Sequence, residues 1–493
     1  MSETGTRATP EPGVIRSLVP ARIDRLPWSP FHTRLVVALG VAWVLDGLEI
    51  TIAGAIGPIL QKHETLTLSS TQVGAIATVY LVGEVFGALF FGRLSDALGR
   101  RNLFIITLGV YLVGNALTAF TWSSSFLGLA FLYVTRFIAG SGIGGEYAAI
   151  NSAIDEMIPA KYRGRVDIAV NGTYWAGAII GTLGTLILLN KLPINLGWRA
   201  GFLIGPLLGA AIWGLRKNLP ESPRWLSMHG REEEAEENIS FIEREVEQSG
   251  IELPPVDESK AIEIRPRERI GFVTLARVLF RHYTSRSILG ASLMISQSFL
   301  YNAIFFTYTL VLTNIYHVNA KSAPWFLIAF AVGNLAGPLT IGRLFDTLGR
   351  RKMISGTYIL SGVLLAITAV MFDAGILNAY TQTLAWCIIF FFASAGASAA
   401  YLTVSEIFPL EVRAQAIALF FAIAQCFGAI GPIFYGHLIG KGHDPGKLFI
   451  GYLIGAAIMI IGGVVEIVLG VDAEQKSLED VASPLSMVGA TAA

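Results

Sequence analysis

The sequence predicts an all-α membrane protein: twelve transmembrane helices in two pseudo-symmetric six-helix bundles. Three observations lead there. Of the 493 residues 53% are hydrophobic and only 15% charged, with 52 glycines, too little polar surface for a water-soluble chain of this length. Apolar runs near the ~20 residues needed to cross ~30 Å of hydrocarbon recur twelve times. They fall at 35–60, 72–92, 103–122, 126–150, 166–189 and 198–215, then at 287–313, 324–343, 353–372, 382–405, 415–439 and 448–470. The third observation is an internal repeat. GRLSDALGRR at 92–101 returns 250 positions later as GRLFDTLGRR at 342–351, with eight of ten residues identical. EMIPAKYR at 156–163 returns at the same offset as EIFPLEVR at 406–413. Two unrelated markers sharing one period mean a duplicated half. This is the anatomy of a secondary transporter built from parallel repeats.

In chain order, residues 1–33 are polar and have no apolar h-region, so they read as a cytoplasmic segment and not as a signal peptide. The N-terminal bundle takes 34–215. Residues 216–286 form a cytoplasmic linker with short helices. Within it, 231–248 is acidic with an apolar stripe of Ile239, Ile242 and Val246, an amphipathic helix lying against the cytoplasmic face. The C-terminal bundle takes 287–470, and the tail 471–493 is cytoplasmic and expected to fray. Lys and Arg number 36 and so do Asp and Glu, which gives no overall pull on nucleic acid. With both termini inside, six Lys and Arg fall on outer loops and edges, Arg136 is embedded, and the other 29 are cytoplasmic. That bias orients the chain in a bacterial inner membrane, the plasma membrane.

Other chemistries are disfavoured. No GxxxxGK[ST] phosphate loop is present, so neither ATP hydrolysis nor an ATPase subunit is expected. No His–Cys cluster has metal spacing. The glycines at 140–145 follow no strand, which makes them helix-packing residues and not a nucleotide loop. Cys387 and Cys426 lie in apolar runs and are expected as buried thiols. The expectation is a non-enzyme without cofactor, a monomer in the bilayer, whose partners are a small-molecule substrate and the proton.

Embedded charges are costly in lipid and mark function. The first span reads WVLDGLEI, with Asp46 and Glu49 three residues apart. Glu49 lies 15 residues past Arg34, ~22 Å along a helix, at a depth that matches Arg136 in the fourth span. Arg136 needs a carboxylate partner and cannot itself release a proton. Glu49 is therefore the titrating member of a proton switch, and Asp46 tunes it. Glu84 and Glu146 are further carboxylates that could relay the proton inward, whereas Glu466 near the end of the twelfth span reads as peripheral. In the repeated loops, Gly92, Asp96, Arg100 and Arg101 match Gly342, Asp346, Arg350 and Arg351. With Glu156, Arg163, Glu406 and Arg413 they form a charge cluster expected to break and reform as the halves rock.

These loops closely resemble the signature of the major facilitator superfamily, a match that spans roughly 34–480. Arg136, Gly140, Gly142, Gly144, Glu156, Pro159, Arg163 and Gly164 stand where its sugar porter branch has R-x3-G-x-G-x-G and E-x2-P-x3-R-G. PESPRWL at 220–226 and KSLED at 476–480 are similar to that branch's other signatures. In proton-coupled sugar porters an Asp at the Glu49 position faces the fourth-span Arg, so the resemblance implies the same coupling here. Two spans depart from the branch. DGLE in the first looks more like the DG-x-D of proton symporters for aromatic acids and related metabolites. The tenth has AGASAAY, ending at Tyr401, in place of a Pro- and Trp-containing stretch, which speaks against a hexose.

Substrate contacts need hydrogen-bonding groups beside aromatic faces in mid-membrane. The seventh span offers Gln297, Tyr301, Asn302 and Phe305, and its Gln-then-Asn pattern resembles the sugar porter one. Asn171, Trp175, Asn334, Tyr401 and Gln425 join them. The function expected is proton-coupled import of a small polar metabolite by alternating access, the substrate being an organic or aromatic acid or a sugar or polyol. A uniporter or exporter of the same fold is the alternative, and a non-transporting sensor is a third reading.

Overall fold

Lipid offers no hydrogen bonds to the backbone, so long apolar runs can only be helices. The computed structural model describes residues 15–485 apart from 61, 69, 218–219, 265–271, 319–322 and 440–444. Strand β1 (Ile15–Ser17) and helix α1 (Val19–Asp24) precede the first bundle. That bundle holds α2 (Pro30–Leu60), α3 (Ser70–Leu98), α4 (Arg100–Thr118), α5 (Phe126–Met157), α6 (Ala160–Gly172), α7 (Tyr174–Lys191) and α8 (Ile194–Lys217). The linker contributes α9 (Pro223–Met228), α10 (Glu232–Gln248), β2 (Ile262–Ile264) and α11 (Phe272–Arg277). The second bundle holds α12 (Thr284–Asn314), α13 (Ala323–Ile341), α14 (Leu344–Thr347), α15 (Arg350–Asp373), α16 (Ala379–Glu406), α17 (Arg413–Gly428), α18 (Ile430–Ile439) and α19 (Pro445–Leu469). A short α20 (Leu478–Val481) follows. Among the described residues ten helical stretches are long and apolar enough to span a membrane, with α6 and α7 counted as one. The sixth span, α8, and the eleventh, broken between α17 and α18, complete the twelve.

Glycine sets how closely these helices approach. A Cβ at Gly140 or Gly144 would sit 2.1 Å from the carbonyl oxygen of Tyr80 or 2.0 Å from that of Glu84, both on α3. Gly142 turns to the opposite side, where a Cβ would come 2.5 Å from the amide nitrogen of Tyr111 on α4. The alternating glycines of the fourth span thus let α5 lie in backbone contact with two neighbours at once. The repeat also has a conformational signature. Gly99 and Gly349, at equivalent places in the two loops, have φ of 87° and 110°, a region that side-chain-bearing residues avoid. Each precedes a helix whose start is held by a carboxylate from the far end of its own half. Glu221 Oε2 accepts from Arg101 N at 3.1 Å, and Glu474 Oε2 accepts from Arg350 N at 3.3 Å.

One face carries the repeated loops, the linker and both described ends of the chain, and is called here the terminal face. β1 pairs antiparallel with β2. Val19 and Ile23 of α1 pack with Trp225, Leu226, Ala235 and Ile239 of α9 and α10, and Ile242 and Val246 bury against the bundles. The apolar stripe read from sequence is therefore the docking face of α10. Arg22 and Arg25 clamp Glu243. Burial alone would raise that carboxyl, but the two guanidinium bonds hold it below the usual carboxylate range.

Three expectations are corrected here. The tail does not fray over its described part: Arg286 donates to the Val481 carbonyl at 2.8 Å, and Glu479 is buried beside Arg224. Glu466 is not peripheral but 0% exposed, beside Arg351 where α19 packs on α15. Cys426 is exposed, because it occupies the outward side of α17 next to exposed Phe427.

Between the cavity and the terminal face the halves touch through small residues. A Cβ at Gly172 would lie 2.5 Å from Pro338 Cβ, and one at Gly92 2.4 Å from Ala418 Cβ. Overpacking at such a site costs about 1–3 kcal/mol, or about 5- to 150-fold in a two-state population. Gly172→Leu is expected to open this face by a factor in that range. The rate of thiol labelling at an Ala414→Cys reporter measures it, and an unchanged rate would mean that the contact does not hold the halves together.

Candidate functional site

The first bundle encloses a charge pair. Arg136 Nη1 donates to Glu49 Oε1 and, at 2.8 Å, to Asn115 Oδ1 on α4. The guanidinium lies 4.4 Å from the Tyr80 ring centroid and 5.3 Å from that of Phe202. Glu49 is 0% and Arg136 1% exposed. An embedded guanidinium requires such surroundings: an opposite charge, a neutral acceptor and aromatic faces. Asp46 goes elsewhere, although it is less than a turn away. Its Oδ1 accepts from the Tyr80 hydroxyl at 3.1 Å and its Oδ2 from the Tyr147 hydroxyl. Tyr80 thus touches both groups, its ring against Arg136 and its hydroxyl on Asp46.

A cavity of about 120 Å³ lies between the two halves, and Asp46 and Glu84 line it. Gln297, Tyr301, Asn302 and Phe305 enter it from α12, Asn171 and Trp175 from α6 and α7, Tyr401 from α16 and Gln425 from α17. Asn334 stands behind the wall and accepts from the Tyr301 hydroxyl at 3.0 Å. Glu146 is buried in α5 outside the lining. A hydrogen-bonded chain crosses the cavity. Asn302 Nδ2 donates to Ser298 Oγ (3.2 Å), Ser298 to Gln425 Oε1 (3.0 Å), and Gln425 Nε2 to Glu84 Oε2 (2.9 Å). Glu84 belongs to the first half and the other three to the second. Aromatic rings also meet across the divide: Trp43 edge-on to Tyr401 at 5.1 Å, and Trp175 against Tyr301 at 5.8 Å and Phe305 at 5.5 Å.

The terminal face holds the charge cluster. Arg350 donates from Nε to Glu406 Oε2 (3.0 Å), from Nη2 to Glu406 Oε1 (3.1 Å) and from Nη1 to Asp346 Oδ1 (2.6 Å). Two bonds reach the first half: Arg163 Nη1 to Glu406 Oε1 at 3.5 Å, and Arg165 N to Asp346 Oδ2 at 2.7 Å. Arg413 is buried in the same region and donates to the Phe408 carbonyl at 3.2 Å. Glu156 is buried at the end of α5. Arg351 donates from Nε to the Ile467 carbonyl at 2.8 Å. The side chains of Asp96 and Arg100 lie outside the described residues. Asp24, before the first span, accepts from Ala160 N (3.1 Å) and Arg224 Nη2 (2.9 Å) and lies 3.7 Å from Arg163. The N-terminal segment is thereby part of the cluster.

The profile of the family described as "Sugar (and other) transporter" matches residues 37–482. This chain belongs to that family. It is 27% identical over 462 residues to the niacin transporter NiaP of Acinetobacter baylyi, covering 94% of this chain and 99% of that one. It is 27% identical over 378 residues to the glucose transporter GlcP of Staphylococcus epidermidis, covering 74% and 78%. Among solved structures, the proton:xylose symporter XylE bound to 6-bromo-6-deoxy-D-glucose superposes with a TM-score of 0.76 at 18% identity, covering 92% and 98%. The chain is a multi-pass membrane transporter with the major facilitator fold, not an enzyme.

Several residues of this family member escaped the sequence reading. Asn115, Tyr80 and Tyr147 hold the charged groups, and each is a polar side chain inside an apolar span, a weak but usable signal. The two broken spans were a better one. The fifth is interrupted for one residue at Thr173 and the eleventh at Ala429, in equivalent spans of the two halves and beside cavity-lining residues.

The cluster on the terminal face makes a testable demand. Glu406→Gln would leave Arg350 and Arg163 short of a buried counter-charge, a loss of about 3–5 kcal/mol for such pairs. A lower thermal unfolding midpoint and faster labelling at the Ala414→Cys reporter are expected. An unchanged midpoint would show that the cluster contributes nothing to closure.

Proposed function

We propose that this protein is a proton-coupled symporter that imports a small polar metabolite by alternating access. Its place would be the bacterial plasma membrane, with both termini and the terminal face cytoplasmic and each chain acting as a monomer. The observation that carries this reading is the sealed Glu49–Arg136 pair beside a cavity between two halves. The lysine and arginine bias along the sequence supports the orientation.

In this mechanism Glu49 takes a proton from the outer side. Its attraction for Arg136 then drops, while the guanidinium stays charged. Arg136 keeps Asn115 and the Tyr80 ring, so any shift it makes is passed to Tyr80 and from there to Asp46 on the cavity wall. Substrate entering the cavity would compete with the Asn302–Ser298–Gln425–Glu84 chain, which joins the halves. Both events loosen links that hold the present closed arrangement on the terminal face, and the halves rock until the cavity opens there. Glu84 then accepts or passes the proton, and Glu146 lies deeper along α5 for its exit.

For the substrate, the relatives named for niacin and for glucose bracket the choice. The rings of Trp43, Trp175, Tyr301 and Tyr401 favour a flat ring compound over a polyol, since stacking faces are matched by a planar ligand.

Proteoliposomes loaded with a pH-sensitive dye test the coupling. Substrate-dependent proton entry is expected in the wild type and should fall at least to about the 1% level in Glu49→Gln, the loss typical of removing a proton-transfer group. Substrate counterflow should survive in that variant. Uptake in the wild type without proton movement would make the protein a uniporter and Glu49–Arg136 a structural pair.

A further inference from the structure

We infer that the cavity selects a planar ring compound bearing N–H donors, neutral or positively charged, and discriminates against a ring carboxylate. This rests on the transport reading above and specifies the substrate class of the same site. Among the described residues two carboxylates line the cavity, Asp46 and Glu84, and no Lys, Arg or His does. The nearest guanidinium, Arg136, is engaged by Glu49 and Asn115 behind the Tyr80 ring. An anion in the cavity would therefore meet two acidic side chains and no counter-ion in a low-dielectric setting, where an unpaired buried charge is costly.

The unsatisfied hydrogen-bonding atoms point the same way. Glu84 Oε1 and Asn171 Oδ1 are buried and have no partner, on side chains 1% and 4% exposed. Both are acceptors on cavity-lining residues, and buried acceptors of this kind call for donors. Trp43 Nε1 is the complementary case, a buried donor without a partner on a third lining residue. Asp46 is already supplied with two tyrosine hydroxyls, which leaves Glu84 as the carboxylate available to a ligand. A carboxamide on an aromatic ring meets the inventory: its N–H groups for Glu84 and Asn171, its carbonyl for Trp43, its ring for the aromatic walls. A ring with an ammonium group meets the acceptors and adds charge complementarity. A ring carboxylate offers only acceptors and meets neither Glu84 nor Asn171. The aromatic acid suggested by DGLE is therefore the poorer fit of the two ring classes.

The test is direct binding to the full-length protein in lipid nanodiscs at pH 7.5, read by tryptophan fluorescence. Benzamide, benzylammonium and benzoate share one ring and differ in charge and donors. Benzamide and benzylammonium are expected to bind about tenfold or more tightly than benzoate. Glu84→Gln should abolish the preference for benzylammonium over benzamide. Asn171→Asp, which adds a carboxylate without changing size, should increase that preference several-fold. Benzoate binding most tightly, or a series that neither variant reorders, would overturn the proposal. Binding in the expected order without any flux in proteoliposomes would uphold the selectivity and sink the transport reading. Proton-linked sugar flux with no aromatic binding would do the reverse.

Discussion

A guanidinium in the middle of a membrane cannot be left alone, and the first bundle is arranged around that constraint. Around Arg136 the protein supplies a carboxylate from α2, an amide from α4 and rings from α3 and α8. Four helices are thereby committed to fixed positions around one side chain. The glycines of the fourth span follow from the same need. Only with Gly140, Gly142 and Gly144 in backbone contact with α3 and α4 can α5 bring Arg136 within reach of Asn115 and Tyr80.

The cavity inherits its character from this arrangement. Because Arg136 is consumed inside the bundle, the wall facing the second half is left with acidic and aromatic groups. Tyr80 is the hinge between the two regions, its ring on the cation and its hydroxyl on Asp46. In the proposed mechanism this single side chain links proton binding at Glu49 to the substrate side. The second half contributes amides and rings but no embedded charge to the cavity, so the halves differ chemically even though they repeat geometrically.

The terminal face shows the repeat at work. Gly99 and Gly349 turn their loops in the same left-handed region, and Glu221 and Glu474 hold the helices that follow. Each carboxylate follows the last span of its own half and bonds the start of the third, which ties those two spans of the unit into one body. Contacts between the bodies are of another kind. Arg163 to Glu406, Arg165 N to Asp346 and the Gly172–Pro338 approach join one body to the other through polar bonds and small-residue contacts. Asp24 adds the N-terminal segment to this interface, although no sequence motif marks it.

The sequence by itself determined the spans, the duplication and the membership of the charge pair. Periodic apolar length fixes helices in lipid, a repeated ten-residue loop fixes two-fold organisation, and a lone embedded cation must find a carboxylate. It also marked about half of the cavity wall, its amides and several of its rings, but not Trp43, Tyr147 or the serines. Tertiary structure decided what depends on which way each face turns. Asp46 and Glu49 lie on one side of a helix in projection, yet a rotation of about 60° at 100° per residue sends one to the cavity and the other into the bundle. Rotation about the helix axis also buried Glu466 and exposed Cys426. Docking of α1, α10 and the tail depended on pairs such as Arg22–Glu243 and Arg224–Glu479. Their partners lie more than 200 residues apart, beyond the reach of any local pattern.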